Sequence, residues 1–223
     1  TKEVKFMDKA LLSKAYIFSG LTEKEFDDAL LYLSAREKRY KKGQTLITLG
    51  TEISEFGVVT KGAVQISCDD INGNQMIMAT ITRGDMFAES LAVTANCDSP
   101  IYATATEETV VVWLKAAPIR QNIADTPLHT RIISNFIRAV AIKCLSMNDR
   151  VQILSKKTIR EKVITYISLI AEREKKDTII VPLNRQDMAN YLGVERSALS
   201  RELSRMQKEG IISYKGNQFR FLQ

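Results

Sequence analysis

The chain has 223 residues, with 32 Lys plus Arg against 26 Asp plus Glu and a formal net charge of +6. Hydrophobic residues make up 45% and charged residues 26%, which is enough apolar content for a folded core and excludes a disordered or fibrous protein. The single histidine, His129, excludes a multi-histidine metal site. The three cysteines, Cys68, Cys97 and Cys144, lack the spacing of zinc or iron–sulfur ligands.

No stretch reaches the roughly 18 consecutive apolar residues that a membrane helix requires. The first residues, TKEVKFMDK, are charged throughout and do not resemble a secretion signal. An odd and sparse set of cysteines suits a reducing compartment. We therefore expect a soluble cytoplasmic protein without a membrane partner.

The surplus positive charge lies in the C-terminal third. Residues 1–154 carry 18 Lys plus Arg and 18 Asp plus Glu, whereas residues 155–223 carry 14 and 8, which accounts for the whole surplus. This asymmetry is typical of a chain in which one module meets a polyanion. Basic ends also aid solubility, so charge alone does not establish nucleic-acid binding.

Residues 41–114 have the pattern of short strands separated by turns, with six of the ten glycines of the chain. The run AVQISCD places Val64, Ile66 and Cys68 inward and polar residues outward. The Asn72-Gly73 pair after it predicts a tight hairpin, and two more strands follow at 101–106 and 110–114. Regular short strands of this kind predict an antiparallel β-roll, preceded by an amphipathic helix at 23–34.

From Leu128 the apolar period changes to that of a helix. Seven apolar residues recur with alternating spacings of four and three, which predicts a seam of three heptads for a parallel homodimer: Ile133, Ile137, Val140, Cys144, Met147, Val151 and Leu154. Packing of this seam against its own domain is the alternative. Thr158 and Glu161 have the spacing of a capping box, so a new helix begins after a domain boundary and hinge near Ser155.

The residues from 183 to 212 predict two short helices around a tight turn. Asn184 is a preferred N-cap for the first helix, and Gly193 lies at the turn. The first helix buries Met188, Ala189 and Leu192, and the second, from about Glu195 to Lys208, buries Leu199, Leu203 and Met206. Two strands about Lys215-Gly216-Asn217 then form a wing.

The opposite face of the second helix is polar and basic. It presents Arg196, Ser197, Ser200 and Arg201 and, one turn on, Ser204 and Arg205. Arginine can hold guanine O6 and N7 together, and Ser or backbone groups at a helix start can hold phosphates. We expect Arg185 and Arg205 to contact phosphates of double-stranded DNA. A lone arginine on a helix is usually only solvated, but the combined pattern favours a winged helix-turn-helix.

These segments together resemble the CRP/FNR family of transcription regulators. The resemblance runs from about Phe18 to Phe221, through KKGQTLITLGTEISEFGVVTKGAVQIS, NGNQ, RGDMFAES, ILSKKTIREKV and LNRQDMANYLGVERSALSRELSRMQKEGII, of which the last is the most specific. It implies an α+β fold: a β-roll (jelly-roll) sensor domain (1–127), a dimerisation helix (128–154) and a winged helix-turn-helix (155–223). It also implies that Arg196, Ser197 and Arg201 contact base edges and that Ser200-Arg201 reads a TGA-type half-site.

The roll departs from the cyclic-nucleotide binders of this family. Their phosphate-binding segment has Gly-Glu-Leu and then Arg-Ser or Arg-Thr, where this chain has Ala88-Glu89-Ser90 and then Ser99-Pro100. A phosphate buried without the arginine would lack a partner charge, so the sequence argues against cyclic AMP. The resemblance also argues against an iron–sulfur cluster, since sensing of the FNR type needs a cluster of N-terminal cysteines that this chain lacks. It argues against haem, since haem sensing in this family would use a histidine of the roll and His129 lies at the start of the dimer helix.

We therefore expect a homodimeric transcription regulator, not an enzyme, controlled by a small molecule of unknown identity and acting on RNA polymerase. The expected effector pocket is lined by residues of the roll and the dimer helix: Glu89, Ser90, Ser99, Ile101, Tyr102, Cys144 and Leu145. We expect Cys144 to act as a small core residue and Cys97 to be the better candidate for a reactive thiol. A ligand-sensing interaction module without sequence-specific DNA binding, and a regulator without effector, remain alternatives; a roll-type metal oxygenase lacks its histidines.

Overall fold

The structure is a computed structural model that describes residues 8–69, 75–94, 98–121, 126–175 and 178–222. The chain divides into two compact units between Ala141 and Ile142, each with a hydrophobic core of its own. The N-terminal unit is mainly antiparallel sheet and the C-terminal unit mainly helix, so the expected α+β fold is confirmed. The division falls inside the long helix because residues near its end pack into the second core.

The N-terminal unit begins with helices α1 (Lys9–Leu12) and α2 (Glu23–Tyr32), with a 3₁₀ turn at Tyr16–Phe18 between them. A capping box fixes the start of α2: the Thr22 hydroxyl accepts from the Glu25 backbone N–H at 3.3 Å, and the Glu25 carboxylate accepts from the Thr22 backbone N–H at 2.9 Å. This pairing satisfies donors that the first turn of a helix leaves free. The helix ends two residues before the predicted position.

The described residues form the predicted roll with eight strands in two four-stranded antiparallel sheets, in the orders β1-β8-β3-β6 and β2-β7-β4-β5. Two short helices, α3 (Glu89–Thr94) and α4 (Ala117–Arg120), accompany them. The strands are β1 (Arg36–Tyr40), β2 (Thr45–Ile47), β3 (Glu55–Lys61), β4 (Val64–Asp69), β5 (Gln75–Ile81), β6 (Met86–Phe87), β7 (Tyr102–Ala105) and β8 (Thr109–Lys115).

Burial along β4 agrees with the predicted alternation at Val64 and Ile66 and departs from it at Ser67, which was expected to face outward. Ser67 is 1% exposed, and Cys68 is only half-buried. The pairing of β4 with β5 shifts register between Ile66, which is opposite Ala79, and Ser67, which is opposite Ile77. An irregularity of this kind interrupts the strict alternation of side chains between the two faces of a strand. The Asn72-Gly73 turn lies outside the described residues, although β4 and β5 on either side of it pair as predicted.

The long helix α5 (Pro127–Leu154) has one face in the cores and another that is uncovered. Ile132, Phe136 and Ala139 are buried in the core of the roll, and Ile153 is buried in the core of the C-terminal unit. Of the seven residues of the predicted seam, Ile133 and Val140 are half-buried. The other five are exposed: Ile137, Cys144, Met147, Val151 and Leu154. Cys144 is therefore not a core residue of the single chain, contrary to expectation.

The C-terminal unit has the predicted winged helix-turn-helix, with a sheet in the order β10-β11-β9 beside three helices. The strand at 179–180 was not predicted; it pairs with β11 through only two residue pairs. The elements are α6 (Ile159–Glu174), β9 (Ile179–Ile180), α7 (Arg185–Leu192), α8 (Arg196–Lys208), β10 (Ile212–Lys215) and β11 (Gln218–Phe221). The capping box of Thr158 and Glu161 and the Asn184 cap both form as predicted.

Gly193 makes the turn between α7 and α8. It has φ +63°, a left-handed conformation that glycine adopts without steric cost, and its backbone N–H closes the end of α7 on Ala189 and Asn190. A β-carbon at this position would lie 3.1 Å from Leu154 Cδ2. The angle between the two helices therefore depends on a residue without a side chain.

We expect Gly193→Ala to lower the free energy of unfolding of the C-terminal unit by about 1–2 kcal/mol, the usual cost of a left-handed alanine. Urea unfolding followed by circular dichroism measures this loss. Gly193→Asn serves as the control, since asparagine tolerates the left-handed conformation better. Equal losses in the two variants would assign the cost to the contact with Leu154 and not to the backbone.

Candidate nucleic-acid interface

Helix α8 is fixed from one side by the second core. Leu199, Leu203 and Met206 have no exposed surface and pack among the apolar residues of α6 and α7. Arg160, in the first turn of α6, also holds α8: its Nε donates to Glu202 Oε1 at 2.6 Å, and its Nη1 lies 2.7 Å from Glu209 Oε2. Sequence patterns did not reveal these ion pairs, because the partners are more than 40 residues apart.

The opposite face of α8 carries the predicted base-reading residues. Arg196, Ser197 and Arg201 are exposed and Ser200 is half-buried. Within the described residues, the side chains of Arg196 and Arg201 form no hydrogen bond or ion pair, so both guanidinium groups are available to a partner. A groove of about 480 Å³ follows this face, lined by Ser200, Arg201, Ser204, Arg205 and Lys208.

The two arginines predicted to contact phosphates already have partners inside the unit. Arg205 Nε donates to Glu209 Oε1 at 2.9 Å, one helical turn further on. Arg185 Nη2 donates to the backbone carbonyl of Gly216 at 3.0 Å, at the tip of the wing. The four predicted arginines therefore fall into two groups: Arg196 and Arg201 project outward, whereas Arg185 and Arg205 are held by the fold.

Arg185 connects α7 to the wing. Its guanidinium carbon lies 5.3 Å from the ring centre of Tyr214 and 5.6 Å from that of Phe219, and these two rings stack on each other. Cation–π contacts of this kind are strongest where water is excluded. Burial lowers the pKa of the guanidinium, and the nearby Tyr214 opposes this effect. Arg185 thus positions the wing, a role that its place at the start of a helix did not indicate.

The predicted effector-pocket residues of the roll lie around α3 and the start of β7. Glu89 is buried and Ser90 exposed at the start of α3. Ser99 is buried, and its hydroxyl donates to the Ile101 carbonyl at 2.8 Å, while the Tyr102 hydroxyl donates to Asp69 at 3.2 Å. The other two predicted residues, Cys144 and Leu145, belong to the C-terminal unit and are exposed there. Cys97 lies outside the described residues.

A cyclic nucleotide does not fit the residues of this segment. Ala88 has φ +61°, so a side chain occupies a left-handed position that favours glycine. Glu89, which follows it, matches the Glu of the cyclic-nucleotide binders, but no basic partner for a phosphate accompanies it, because the sequence contains no lysine or arginine from Gly84 to Leu114. An anionic phosphate placed here would meet no positive charge from this segment.

The part of the chain that the structure describes contains no group of three or more His, Cys, Asp or Glu side chains able to hold a metal ion. His129 is buried in the first core, with its ring centre 5.7 Å from that of Tyr32. Among the described residues no helix is both long and apolar enough to span a membrane.

The fold combines a β-roll with a winged helix-turn-helix, the architecture of a two-domain DNA-binding regulator. Family models agree: residues 37–125 match the cyclic nucleotide-binding domain and residues 161–223 match the Crp-like helix-turn-helix domain. The chain belongs to the CRP/FNR family of transcription regulators.

Individual relatives are distant in sequence. The transcriptional activator protein FnrL of Cereibacter sphaeroides is 22% identical over 188 residues, which cover 80% of this chain and 73% of FnrL. The fumarate nitrate reduction regulatory protein of Klebsiella oxytoca is 25% identical over 210 residues, 92% of this chain and 82% of that protein. The solved structure of OCPA-complexed CprK has the same fold, with a TM-score of 0.62 at 19% identity and coverage of 91% and 92%.

We expect millimolar cyclic AMP to leave the melting temperature of the protein unchanged. A ligand that binds only the folded state at a hundred times its Kd stabilises that state by about 2.7 kcal/mol, which a thermal-shift assay detects easily. Cyclic GMP and AMP serve as matched controls for non-specific effects of nucleotides. A saturable upward shift with cyclic AMP alone would contradict the misfit at Ala88 and at Ser99, where the arginine is missing.

Proposed function

We propose that this protein is a homodimeric, sequence-specific DNA-binding transcription regulator that inserts α8 into the major groove at both halves of a near-palindromic operator. The observation that carries the proposal is the pair of exposed, unpartnered guanidinium groups of Arg196 and Arg201, among the described residues, on a helix that the core and Arg160 hold still. Arginine bidentate to guanine is the commonest specific contact in the major groove.

The residues of α8 divide between base reading and phosphate binding. Arg196, Ser197, Ser200 and Arg201 read base edges of a TGA-type half-site, with Arg201 on the guanine. Arg205, one turn further along, contacts a phosphate. Arg185 acts mainly through the wing, and its N–H groups other than those bonded to Gly216 and to the Met188 sulfur are available to a phosphate. Base contacts of this kind give specificity, and phosphate contacts give orientation and affinity.

We expect Arg201→Ala to weaken operator binding by about 1–3 kcal/mol, roughly 5- to 150-fold, and to relax the preference for guanine at one position. Fluorescence anisotropy with the operator and with single-base variants of it measures both effects. The control is Lys215→Ala at the exposed wing turn, which should weaken all duplexes about equally.

An equal loss of affinity for operator and random duplex in Arg201→Ala would contradict the base-reading role. Wild-type protein that selects no sequence from genomic fragments would contradict the proposed function itself. The chain would then be a ligand-sensing interaction module with a basic end.

The exposed seam of α5 supports the homodimer. Ile137, Met147 and Val151 are each more than 60% exposed in the single chain. Full burial of an apolar side chain of this size contributes roughly 1.5–3 kcal/mol, and a second copy presents the same seam across a two-fold axis. Such a dimer places two recognition helices on half-sites one helical turn, roughly 34 Å, apart.

We expect Val151→Glu to produce a monomer and to weaken operator binding at least tenfold, because two carboxylates would face each other across the axis. Sedimentation equilibrium gives the oligomeric state, and anisotropy gives the affinity. Gln152→Glu adds the same charge at the neighbouring exposed position, outside the seam, and should leave both unchanged. A dimeric Val151→Glu protein would place the dimer contact elsewhere.

The effector is proposed to be a small molecule other than a cyclic nucleotide, with RNA polymerase as the downstream partner. The segment of the roll around Glu89 favours an uncharged or cationic ligand, since its charged residues from Gly84 to Leu114 are all acidic. The CprK structure of the same fold is a complex with OCPA, so a protein of this fold can form a complex with a ligand.

A further inference from the structure

Arg205 is the one arginine of the exposed face of α8 that the described structure pairs with a carboxylate. Its side chain is 70% exposed, and its Nε is 2.9 Å from Glu209 Oε1. The other oxygen of the same carboxylate, Oε2, lies 2.7 Å from Arg160 Nη1. Arg160 in turn bonds Glu202. The four side chains therefore form a chain of alternating charge, in the order Glu202, Arg160, Glu209 and Arg205, which ends on the exposed face of α8.

Arg160 makes Glu209 a fixed anion. An isolated surface pair one helical turn apart contributes little because both side chains move freely. Here Arg160 extends from a second helix, α6, which packs against α8, so Glu209 is held from outside its own helix. Hydrogen bonds from Arg160 and then from Arg205 hold the pKa of Glu209 below its usual range, and the carboxylate stays ionised at neutral pH. An ordered carboxylate is a stronger competitor for a cation than a mobile one.

We propose that Glu209 is a positioning residue that competes with DNA phosphates for Arg205 and thereby limits binding to non-specific DNA. The proposal rests on the proposed function. Non-specific binding arises from counterion release, with a slope of log K against log salt of about −0.9 for each phosphate neutralised. An arginine held by Glu209 releases no counterion. Arg205 contributes to DNA affinity only when base contacts by Arg196 and Arg201 hold α8 close to the groove. A phosphate can then displace the Glu209 carboxylate from Arg205.

The test is the salt dependence of binding to a random duplex. Glu209→Gln keeps the shape of the side chain and removes its charge. We expect it to tighten random-duplex binding about threefold to tenfold near 0.1 M salt and to steepen the slope by about 0.9. Operator binding should tighten less, so the ratio of operator to random affinity should fall.

Glu202→Gln is the matched control. It removes the same charge from the same helix and the other partner of Arg160, but it does not touch Arg205. Glu202→Gln should therefore leave the slope near that of the wild type. The double variant Arg205→Gln/Glu209→Gln should lose the gain of Glu209→Gln. An equal gain in Glu202→Gln, or a gain that survives in the double variant, would overturn the proposal by reducing it to a general charge effect.

A second single variant makes the test independent of how well Glu209→Gln folds. Arg205→Gln should leave the random-duplex slope unchanged while weakening operator binding. A slope flatter by a full 0.9 would show that Arg205 already contacts phosphates in the non-specific complex, and the proposal would be wrong. Wild-type protein that binds no duplex would overturn the proposed function, whereas sequence-specific wild-type binding with an unchanged Glu209→Gln slope would overturn only the role of Glu209.

Discussion

The C-terminal unit depends on two properties of α8. One face of the helix is fixed against the core, and the opposite face carries guanidinium groups that have no ion-pair partner among the described residues. Three fully buried residues of α8 and two ion pairs of Arg160 supply the first condition. Arg196 and Arg201 supply the second, because within the described chain nothing neutralises them. The two conditions depend on each other: an unpaired guanidinium reads a base only if its backbone is already in place.

The wing, like α8, is held in place by an arginine from another element, here through aromatic rings and a backbone carbonyl. Arg185 lies on two stacked aromatic rings and bonds the carbonyl of Gly216, so a cation at the start of α7 stabilises the turn of a hairpin 31 residues away. An isolated two-stranded hairpin is only marginally stable in water. The third strand β9 and the contacts of Arg185 give this one the support that it needs to hold a fixed position beside α8.

Local interactions explain what the sequence predicted well. The capping boxes at Thr22 and Thr158, the Asn184 cap, the Gly193 turn and the apolar periods of α7 and α8 each involve residues within about four positions of one another. The features that were missed join distant residues: the register shift of β4 against β5 at Ser67, the pairs of Arg160 with Glu202 and Glu209, and the packing of Arg185 against the wing. A single sequence shows periodicity directly, but it shows no partner for a charge.

The same distinction explains why four similar arginines have different roles. Arg201 and Arg205 lie on the same face of α8, since residues four positions apart are neighbours on a helix surface. Glu209 separates them, because it is within reach of Arg205 and two helical turns from Arg201. A count of charges includes both Arg201 and Arg205 in a basic surface. The ion pair with Glu209 neutralises Arg205, so only Arg201 adds to the long-range attraction of DNA. A regulator gains specificity in this way without any new base contact. Its affinity for non-specific DNA falls more than its affinity for the operator, so the ratio of the two rises.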